Sequence, residues 1–472
     1  MKCIHKPGIK KTGAALFWII IWWVLSLLIN NPLFLPGPGQ VFFELFHLFK
    51  EPTFFQRTLF TLGRILLGFS FAYLLAALLA GLSSKSRTFQ SFLQPLIYAI
   101  QSVPVASFVI LALFWMRSQV LSVFICFLIV FPVVYHNVLE GLMAMDPNLR
   151  QMGEIFELTS FEKFRAILLP QLAPYLIAAA KTTMGLAWKA GTAAEIIAMV
   201  KGSIGEALYD SKIYLEMAQL FALTLWIILL SAGSSRVLSF LLKKALLGLE
   251  RKKPRGRWAL SPLDESGPLL SLKAVDKDYG KGPVIENFSH NFLPGEVTWI
   301  YGESGAGKTT LLNLMMGLTL PDKGRVSPAR GLRFSPLFQE NRLIESWTVR
   351  ENLLLVNPQA APGLSENLKA LGLSGLEDQR VEELSGGMKR RVALARAVLS
   401  PGDLLLLDEP FRDLDQNSKK KATDWINEKK SSFRGLVLVS HEVKEAEALG
   451  FNQRIEIKSS LSNRKKSEEP CS

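Results

Sequence analysis

The sequence predicts a membrane α-helical bundle of six transmembrane helices followed by an α/β P-loop domain. Three observations support this fold class. Long apolar runs with few charges occupy the chain up to about residue 242, as helices embedded in lipid require. From about residue 265 the composition is that of an ordinary soluble domain. Within that part, a glycine-rich loop lies between a β-rich run and a helical pattern, which is the setting of a P-loop.

Each predicted transmembrane helix is based on a run of roughly 17 to 25 mainly apolar residues. The six runs lie near residues 14–29, 62–82, 95–116, 120–138, 175–200 and 215–242. Six such runs in succession disfavour the alternative of buried helices in a large soluble protein. The first run has a basic start, as a signal peptide has, but no small-residue cleavage site follows it, so we interpret it as a retained span.

Lysine and arginine in the short flanks predict the orientation. If the N-terminus is cytosolic, the inner flanks contain about three times as many lysine and arginine residues as the outer flanks. Both termini and the soluble domain are therefore predicted to be cytosolic. The net charge of +13 is concentrated beside the first and last apolar runs, which fits anionic lipid headgroups better than nucleic acid. The soluble half shows no basic face with interleaved aromatic residues, so we expect no nucleic-acid partner.

Two features of the apolar half are polar or amphipathic. Residues 41–49 are predicted to form an interfacial helix on the outer side. Lys189 and Glu195 lie within the fifth run. They either face the interior of the bundle or a solute pathway, or reach the outer rim with their charged ends, and the sequence leaves both alternatives open.

The P-loop carries the first chemical prediction. A β-rich run at 297–301 precedes it, and its residues are Gly302, Glu303, Ser304, Gly305, Ala306, Gly307, Lys308, Thr309 and Thr310. The glycines let backbone amides turn toward phosphate oxygens, and the N-terminus of the following helix adds its positive end. Lys308 supplies a full charge, and Thr309 can bind magnesium. ATP and Mg²⁺ are the expected cofactors.

A second apolar run, DLLLLDEP, ends in Asp408 and Glu409. An acidic residue at the end of a buried strand beside a P-loop holds the magnesium ion, and a neighbouring glutamate can orient or deprotonate the attacking water. We therefore predict Asp408 as a metal ligand and Glu409 as the catalytic base. Paired acids at the end of a strand are more often solvated turn residues, but beside a P-loop that interpretation is disfavoured.

Residues from about 270 to 457 resemble the nucleotide-binding domain of ABC transporters. The motifs that carry the resemblance are LSGGMKRR, LFQE, FRDLD, LVSHE and KDYG, which arrive in the family's order. The resemblance implies these roles: Ser385, Gly386 and Gly387 bind the nucleotide of a second copy, Gln339 is catalytic and binds the metal, Asp413 and Asp415 follow the acidic pair, His441 is the catalytic switch histidine, and Tyr279 stacks on adenine. Met388 replaces the family's glutamine, and we expect hydrolysis to survive this change.

The stretch QMGEIFELTSFEKFRAILLPQLAP resembles the cytoplasmic coupling segment of bacterial ABC importer permeases. The resemblance implies a coupling helix at about 151–170 that docks on the ATPase through Phe161, Phe164, Leu169 and Pro170. Phe161, Phe164 and Leu168 have the i, i+3, i+7 spacing of one helical face. The alternative is an ordinary interfacial helix under the membrane, which the ATPase on the same chain disfavours.

Residues 58–242 resemble the permeases of the nitrate, sulfonate, taurine and thiamine-precursor importers, which implies a type I importer-like bundle. We expect a multi-pass protein of the bacterial inner membrane that works as two copies with an extracytoplasmic binding protein and a small polar or anionic solute. An exporter half-transporter and an ATP-powered signalling or mechanical complex are the alternatives. The predicted parts are a permease domain at 1–242, a linker at 243–268, an ATPase domain at 269–458 and a disordered tail at 459–472.

Overall fold

The computed structural model describes residues 7–250, 267–280 and 282–458. Contacts divide the chain into two compact units, of which the first contains Met1–Met145 and Gln171–Leu249, and the second contains Asp146–Pro170 and Glu250–Ser472. The segment Asp146–Pro170 thus lies between two parts of the first unit in sequence but belongs by its contacts to the second.

Helices make up the first unit and the segment inserted in it. Their bounds are α1 Pro7–Ile29, α2 Pro38–Leu48, α3 Pro52–Lys85, α4 Arg87–Ser102, α5 Val105–Leu113, α6 Ser118–Met143, α7 Pro147–Ile155, α8 Ser160–Lys163, α9 Leu169–Ile197, α10 Ile204–Ile213 and α11 Met217–Glu250. Small residues allow close packing of α3 in the main core of this unit. Ala72, Ala76 and Ala80 recur every fourth residue on α3, are fully buried, and belong to the same core as Val130 and Val134 of α6. Such small-residue stripes let membrane helices approach closely.

Five of the six predicted spans coincide with helices, namely α1, α3, α6, α9 and α11. The prediction of one helix over 95–116 is wrong, because the chain bends by 96° between α4 and α5. Pro104 lacks a backbone donor and forces its predecessor out of the helical region, and Val103 is accordingly extended, at φ −77° and ψ 126°.

Among the described residues, three helices are long and apolar enough to cross a membrane, α3, α6 and Met217–Leu246 of α11, or four if the bent pair α4 and α5 forms one span. Leu16–Ile29 is a shorter apolar helix. Helix α9 contains Lys181, Lys189 and Glu195, which reduce its apolar content. The count of six spans therefore remains a prediction.

Glu195 is fully buried, and its neighbours come from two other helices. Its Oε2 accepts a hydrogen bond from Thr61 Oγ1 at 2.9 Å, and its Oε1 lies 3.7 Å from Arg64 Nη1. The amide of Gly205 at the start of α10 also donates to Oε2, at 3.4 Å. Lys189, by contrast, is exposed in the first unit. Glu195 and Lys189, for which the sequence left the same alternatives open, thus have different surroundings.

The amphipathic run at 41–49 is helical, as predicted, within α2. Val41, Leu45 and Leu48 of this helix are buried in a core shared with α10 and α11. Phe43 and Phe46 lie on its exposed side.

Two sheets form the centre of the second unit. The strands are β1 Leu270–Asp278, β2 Pro283–Phe292, β3 Val297–Tyr301, β4 Lys323–Pro328, β5 Phe334–Leu337, β6 Leu404–Asp408, β7 Gly435–Val439 and β8 Gln453–Glu456. The order β2-β1-β4 makes an antiparallel sheet, and β5-β6-β7-β3-β8 makes a parallel one. Strands β6 and β7 are buried along their whole length, as expected of central parallel strands covered on both faces.

Six helices accompany these sheets: α12 Lys308–Met315, α13 Val349–Val356, α14 Leu364–Ala370, α15 Gly386–Leu399, α16 Gln416–Lys429 and α17 Val443–Leu449. The predicted linker of residues 243–268 begins within a helix, because α11 continues to Glu250. Most of that linker, residues 251–266, and the predicted tail, residues 459–472, lie outside the described residues.

Candidate nucleotide site and coupling segment

The predicted site residues follow four strands of the parallel sheet. The P-loop follows β3, and Gln339 lies just after β5. Asp408 is the last residue of β6 and Glu409 follows it, while His441 lies just after β7. Parallel strands present their carboxyl ends at one edge of a sheet, which is where α/β proteins bind ligands. The topology therefore brings these residues together from distant parts of the sequence.

Lys308 begins α12 and is buried inside the P-loop. Its Nζ donates to the carbonyl oxygens of Gly302 at 2.9 Å and Glu303 at 2.8 Å. Burial lowers the pKa of the Lys308 ammonium, and the nearby carboxylates of Glu409 and Asp408 partly oppose this effect. Ser304 and Gly305 are exposed at the tip of the loop. The loop thus surrounds a positive charge, as the binding of phosphate oxygens requires.

Two glycines of the loop are required by its backbone. Gly302 has φ 152°, and a Cβ atom there would collide with the carbonyl oxygen of Ile457. Gly307 has φ 101°, and a Cβ atom there would lie 2.8 Å from Val284 Cγ1. Residues other than glycine rarely adopt such angles, so the predicted role of these glycines has a structural cause.

Asp408 and Thr309 form the part of the site that suits a cation. Thr309 Oγ1 donates to Asp408 Oδ2 at 3.0 Å, and Asp408 is only 3% exposed. Burial raises the pKa of the Asp408 carboxyl to about 6, although the hydrogen bond from Thr309 acts in the opposite direction. Magnesium prefers oxygen ligands of these types, and a bound divalent cation would stabilise the buried carboxylate. The two residues therefore fit Mg²⁺.

Glu409 lies next to His441 at the end of the parallel sheet. Glu409 Oε1 is 3.3 Å from His441 Nε2, and the Glu409 carboxylate is 23% exposed. Its backbone has φ 48°, and its amide donates to the carbonyl oxygen of Val439 at 2.9 Å. Such strained backbone is characteristic of functional sites. The Glu409 carboxylate is held at the edge of the sheet and remains accessible to water.

The signature motif begins α15. Ser385 is its N-cap, and the Ser385 hydroxyl accepts a hydrogen bond from the amide of Met388 at 3.4 Å. Ser385 and Gly386 are exposed, while Met388 is partly buried against the core beneath α15. A Cβ atom on Gly387 would lie 3.0 Å from the carbonyl oxygen of Asp413. Ser385 and Gly386 are thus accessible at the N-terminus of α15.

Two further predicted residues lie apart from these contacts. Tyr279 is 56% exposed, and its ring centroid is 5.4 Å from Lys277 Nζ. Asp415 is the N-cap of α16 and accepts a hydrogen bond from the Ser418 amide at 2.9 Å. The Tyr279 ring is therefore available for stacking, whereas the Asp415 carboxylate has a local structural role.

Helix α7 docks on the ATPase part of the second unit. Leu149, Met152 and Phe156 are buried in the same core as residues of β1, β3 and α12. Gln151 Oε1 accepts a hydrogen bond from Arg342 Nη1 at 3.1 Å. The Arg396 guanidinium lies 5.4 Å from the ring centroid of Phe156. The coupling segment is thus held by apolar burial together with contacts to two arginines.

The predicted docking face of this segment is wrong. Phe161 is 60% exposed and Phe164 is 44% exposed. The chain turns at Glu157, at φ 50°, and residues 164–168 form a π-helix, so no regular helix runs through 151–170. The i, i+3, i+7 rule assumes about 3.6 residues per turn throughout and fails here. Leu169 is buried, and Pro170 is half-buried.

Three arginines that connect these regions were not predicted from the sequence: Arg342, Arg390 and Arg396. The signal that was available is the run RRVALARAV, in which Arg396 lies among apolar residues and Arg390 is close to them on the same helix. Charges at such positions are rarely buried unless they are paired, and here Arg390 and Arg396 are 2% and 1% exposed.

Comparison with known proteins finds two families along the chain. Residues 72–246 match the family described as binding-protein-dependent transport system inner membrane component, and residues 285–412 match the ABC transporter family. Aliphatic sulfonates import ATP-binding protein SsuB 3 of Paraburkholderia xenovorans is 39% identical over 188 residues, which cover 39% of this chain and 75% of that protein. The chain belongs to the ABC transporter family.

Other ABC proteins resemble this transporter over similar lengths. Aliphatic sulfonates import ATP-binding protein SsuB of Bacillus subtilis is 36% identical, covering 38% of this chain and 75% of that protein. Nod factor export ATP-binding protein I of Paraburkholderia xenovorans is 34% identical, covering 38% and 65%. A solved dimeric ATP-binding cassette bound to ADP and phosphate has a TM-score of 0.37 at 25% identity, covering 40% and 96%.

This ABC transporter therefore joins a permease domain and an ATP-hydrolysing cassette in one chain. ATP is its nucleotide, and ATP hydrolysis is coupled to transport.

Proposed function

We propose that this ABC transporter imports a small polar or anionic solute, of the sulfonate, nitrate or thiamine-precursor type, across the bacterial inner membrane. The observation that carries the proposal is the docking of the single segment Asp146–Pro170 on the ATPase through the buried face of α7. One short coupling segment in each permease is the arrangement that its resemblance to importers implies. The relatives named for aliphatic sulfonate import support the same direction.

The short connection between α3 and α4 disfavours export. Exporters couple through two long intracellular loops, whereas here α3 ends at Lys85 and α4 begins at Arg87. A single residue between two helices does not form a long loop of that kind. Because some relatives are named for Nod factor export, the experiment must also test for export.

The ATP site is proposed to act with the residues in the roles that their positions support. Lys308 and the P-loop amides of Gly302 to Thr310 would hold the phosphates, and Thr309, Asp408 and Gln339 would hold Mg²⁺, which neutralises charge on the phosphates. Glu409 would take a proton from the attacking water. The contact between Glu409 and His441 would orient that carboxylate.

Two copies of the chain are proposed to complete the ATP sites. Each chain has one P-loop and one signature, and Ser385 and Gly386 are exposed. A two-fold pair would place the signature of each copy against the nucleotide on the other. An extracytoplasmic binding protein would deliver the solute, and both termini and the ATPase would be cytosolic.

ATPase measurements on the full chain in nanodiscs test the direction of transport. The candidate binding protein is added with an alkanesulfonate, nitrate or a pyrimidine precursor of thiamine. Import predicts that one loaded binding protein raises hydrolysis severalfold and that its solute-free form does so less. Stimulation by hydrophobic compounds without a binding protein would favour export, and a rate independent of every solute would favour a signalling or mechanical complex.

A further inference from the structure

The side chain of Arg390 connects the two catalytic segments that follow β5 and β6. We propose that Arg390 is a positioning residue that fixes Gln339 relative to Glu409 and so makes hydrolysis depend on how the coupling segment is seated. The inference rests on the proposed roles of Gln339 and Glu409.

Five hydrogen bonds define this connection. Arg390 Nη1 donates to the carbonyl oxygens of Phe338 at 2.7 Å and Gln339 at 3.2 Å, and to Asn341 Oδ1 at 3.3 Å. Arg390 Nη2 donates to the carbonyl oxygens of Asp408 and Glu409, the latter at 2.7 Å. One planar guanidinium therefore binds both segments at once, with one nitrogen on each.

No regular pairing between these strands extends as far as the site. The described register of β5 and β6 runs from Phe334 opposite Leu404 to Leu337 opposite Leu407. Beyond that pair, Arg390 provides the cross-link described above, and it is 2% exposed. Hydrogen bonds to a charged donor are stronger than neutral ones, and burial makes their loss costly. The separation of Gln339 and Glu409 is therefore expected to depend on this side chain.

The same segment after β5 also reaches the coupling segment. Arg396 Nη1 and Nη2 donate to the carbonyl oxygens of Arg342 at 2.7 Å and Asn341 at 3.0 Å. Arg342 in turn binds Gln151 of α7, and Arg396 lies beside the ring of Phe156. Contacts therefore continue from Glu409 through Arg390 and residues 338–342 to α7. A displacement of α7 would therefore be transmitted through residues 338–342 and Arg390 to the segment that carries Glu409.

The chemistry of the contact requires arginine. Lysine keeps the charge, but its single ammonium lacks the fork with which Arg390 binds two segments. Arg390→Lys should therefore keep the fold and lose the positioning, while Arg390→Gln loses the charge as well. If Arg390→Gln does not purify as a folded protein, Arg390→Lys alone decides the question by the same criteria.

Arg333 offers a matched control on the same two strands. Its Nε lies 3.4 Å from Asp403 Oδ2, at the opposite ends of β5 and β6 from the site. Arg333→Gln thus removes a guanidinium link between these strands without touching the catalytic segments. Glu409→Gln is the second control, because it should abolish hydrolysis and preserve ATP binding if Glu409 is the base.

The experiment measures kcat and KM for ATP, and the Kd for a non-hydrolysable ATP analogue, with the full chain in nanodiscs. We expect both Arg390 variants to lower kcat roughly 10- to 100-fold, the scale of a misplacement of about 1 Å. KM and the analogue Kd should change less than about threefold, because the P-loop is unaltered. Arg333→Gln should keep kcat within about threefold of the natural protein.

A double-mutant cycle tests the connection to α7. Gln151→Ala should change kcat when Arg390 is present and have little further effect in Arg390→Lys, because coupled residues are not additive. The proposal is overturned by an Arg390→Lys protein with normal kcat, by an equal loss in Arg333→Gln, or by additive effects of Gln151→Ala and Arg390→Lys. Normal hydrolysis by Glu409→Gln would refute the proposed base and leave the Arg390 result to be judged separately.

Discussion

At the scale of single residues, Asp408 shows how the chemistry of the site opposes the stability of the fold. A carboxyl whose pKa rises from an ordinary 3.8 to about 6 in the folded protein is less stable there as a carboxylate, by about 3 kcal/mol. The folded state binds the proton more tightly than the unfolded state. The penalty is therefore absent below about pH 4, develops between pH 4 and 6, and is complete above pH 6.

Replacement of Asp408 by asparagine should stabilise the protein when no nucleotide or magnesium is bound. Asparagine can still accept the hydrogen bond from Thr309 but carries no buried charge. At pH 8 we expect Asp408→Asn to raise the apparent unfolding temperature by several degrees and to abolish ATP hydrolysis, and at pH 5 the thermal gain should shrink. Scanning fluorimetry of the purified protein at both pH values measures this.

Asp403→Asn is the matched comparison, because Asp403 accepts from Arg333 and its loss should give no thermal gain. An Asp408→Asn protein that melts at or below the temperature of the natural protein at pH 8 would show that the buried charge carries no such penalty.

At the scale of elements, the docked face of α7 is the proposed connection between ATP hydrolysis and the permease. Met152 is fully buried and Phe156 is 1% exposed in the ATPase core, whereas Phe161 of α8 is 60% exposed. Removal of a buried phenylalanine side chain typically costs about 3–5 kcal/mol, which is enough to release the segment.

Phe156→Ala should therefore uncouple the two halves of the protein. We expect the amount of solute transported per ATP hydrolysed to fall at least tenfold, because about 1.4 kcal/mol of lost docking already corresponds to that factor. Phe161→Ala should keep this ratio near its natural value. Parallel measurements of uptake and phosphate release give the ratio, and a larger loss in Phe161→Ala than in Phe156→Ala would contradict the observed docking face.

The contact between α3, α9 and α10 around Glu195 leads to a second prediction at this scale. Arg64 and Glu195 are both buried, and removal of one partner leaves a buried charge uncompensated at a cost of about 3–5 kcal/mol. Arg64→Met and Glu195→Met should each lower the unfolding temperature clearly, and the double variant should lose less than the sum of the two. Thermal unfolding in nanodiscs measures this cycle, and additive losses would show that the two charges do not stabilise each other.

The elements also show where sequence patterns are informative. Strands β3 and β6 have the predicted positions because continuous apolar runs bounded by glycine or acidic residues are characteristic of buried parallel strands. The bend at Val103 and the turn at Glu157 were not predicted, because a single proline and a positive φ act over one residue and do not change the average hydropathy. The network of Arg390 escaped prediction because a hydrogen bond to a backbone carbonyl leaves no pattern in the partner's sequence.

At the scale of the whole molecule, the proposed pair of chains makes a prediction about complementation. Lys308→Ala disables the P-loop of its own chain, and Ser385→Glu disables the signature that it offers to another. We expect each variant alone to be inactive, since loss of one such contact typically lowers kcat about 100- to 1,000-fold. A mixed pair retains one complete site, formed by the P-loop of one chain and the signature of the other.

Co-expression of the two variants with different affinity tags and tandem purification of the mixed pair measures this. Recovery of about half of the natural ATPase rate is the ceiling if the two sites act independently. A mixed pair as inactive as its parents would contradict the composite site, and so would full activity in a protein shown to be monomeric.

ATP-driven solute uptake is the measurement that tests the central claim most directly. The full chain is reconstituted in liposomes with ATP and Mg²⁺ trapped inside, and the binding protein with labelled solute is added outside. The account predicts accumulation of the solute inside, in vesicles whose ATPase domain faces the lumen, and none with a non-hydrolysable ATP analogue or with Glu409→Gln. Accumulation without hydrolysis, or ATP-driven movement of the solute out of the vesicles, would contradict it.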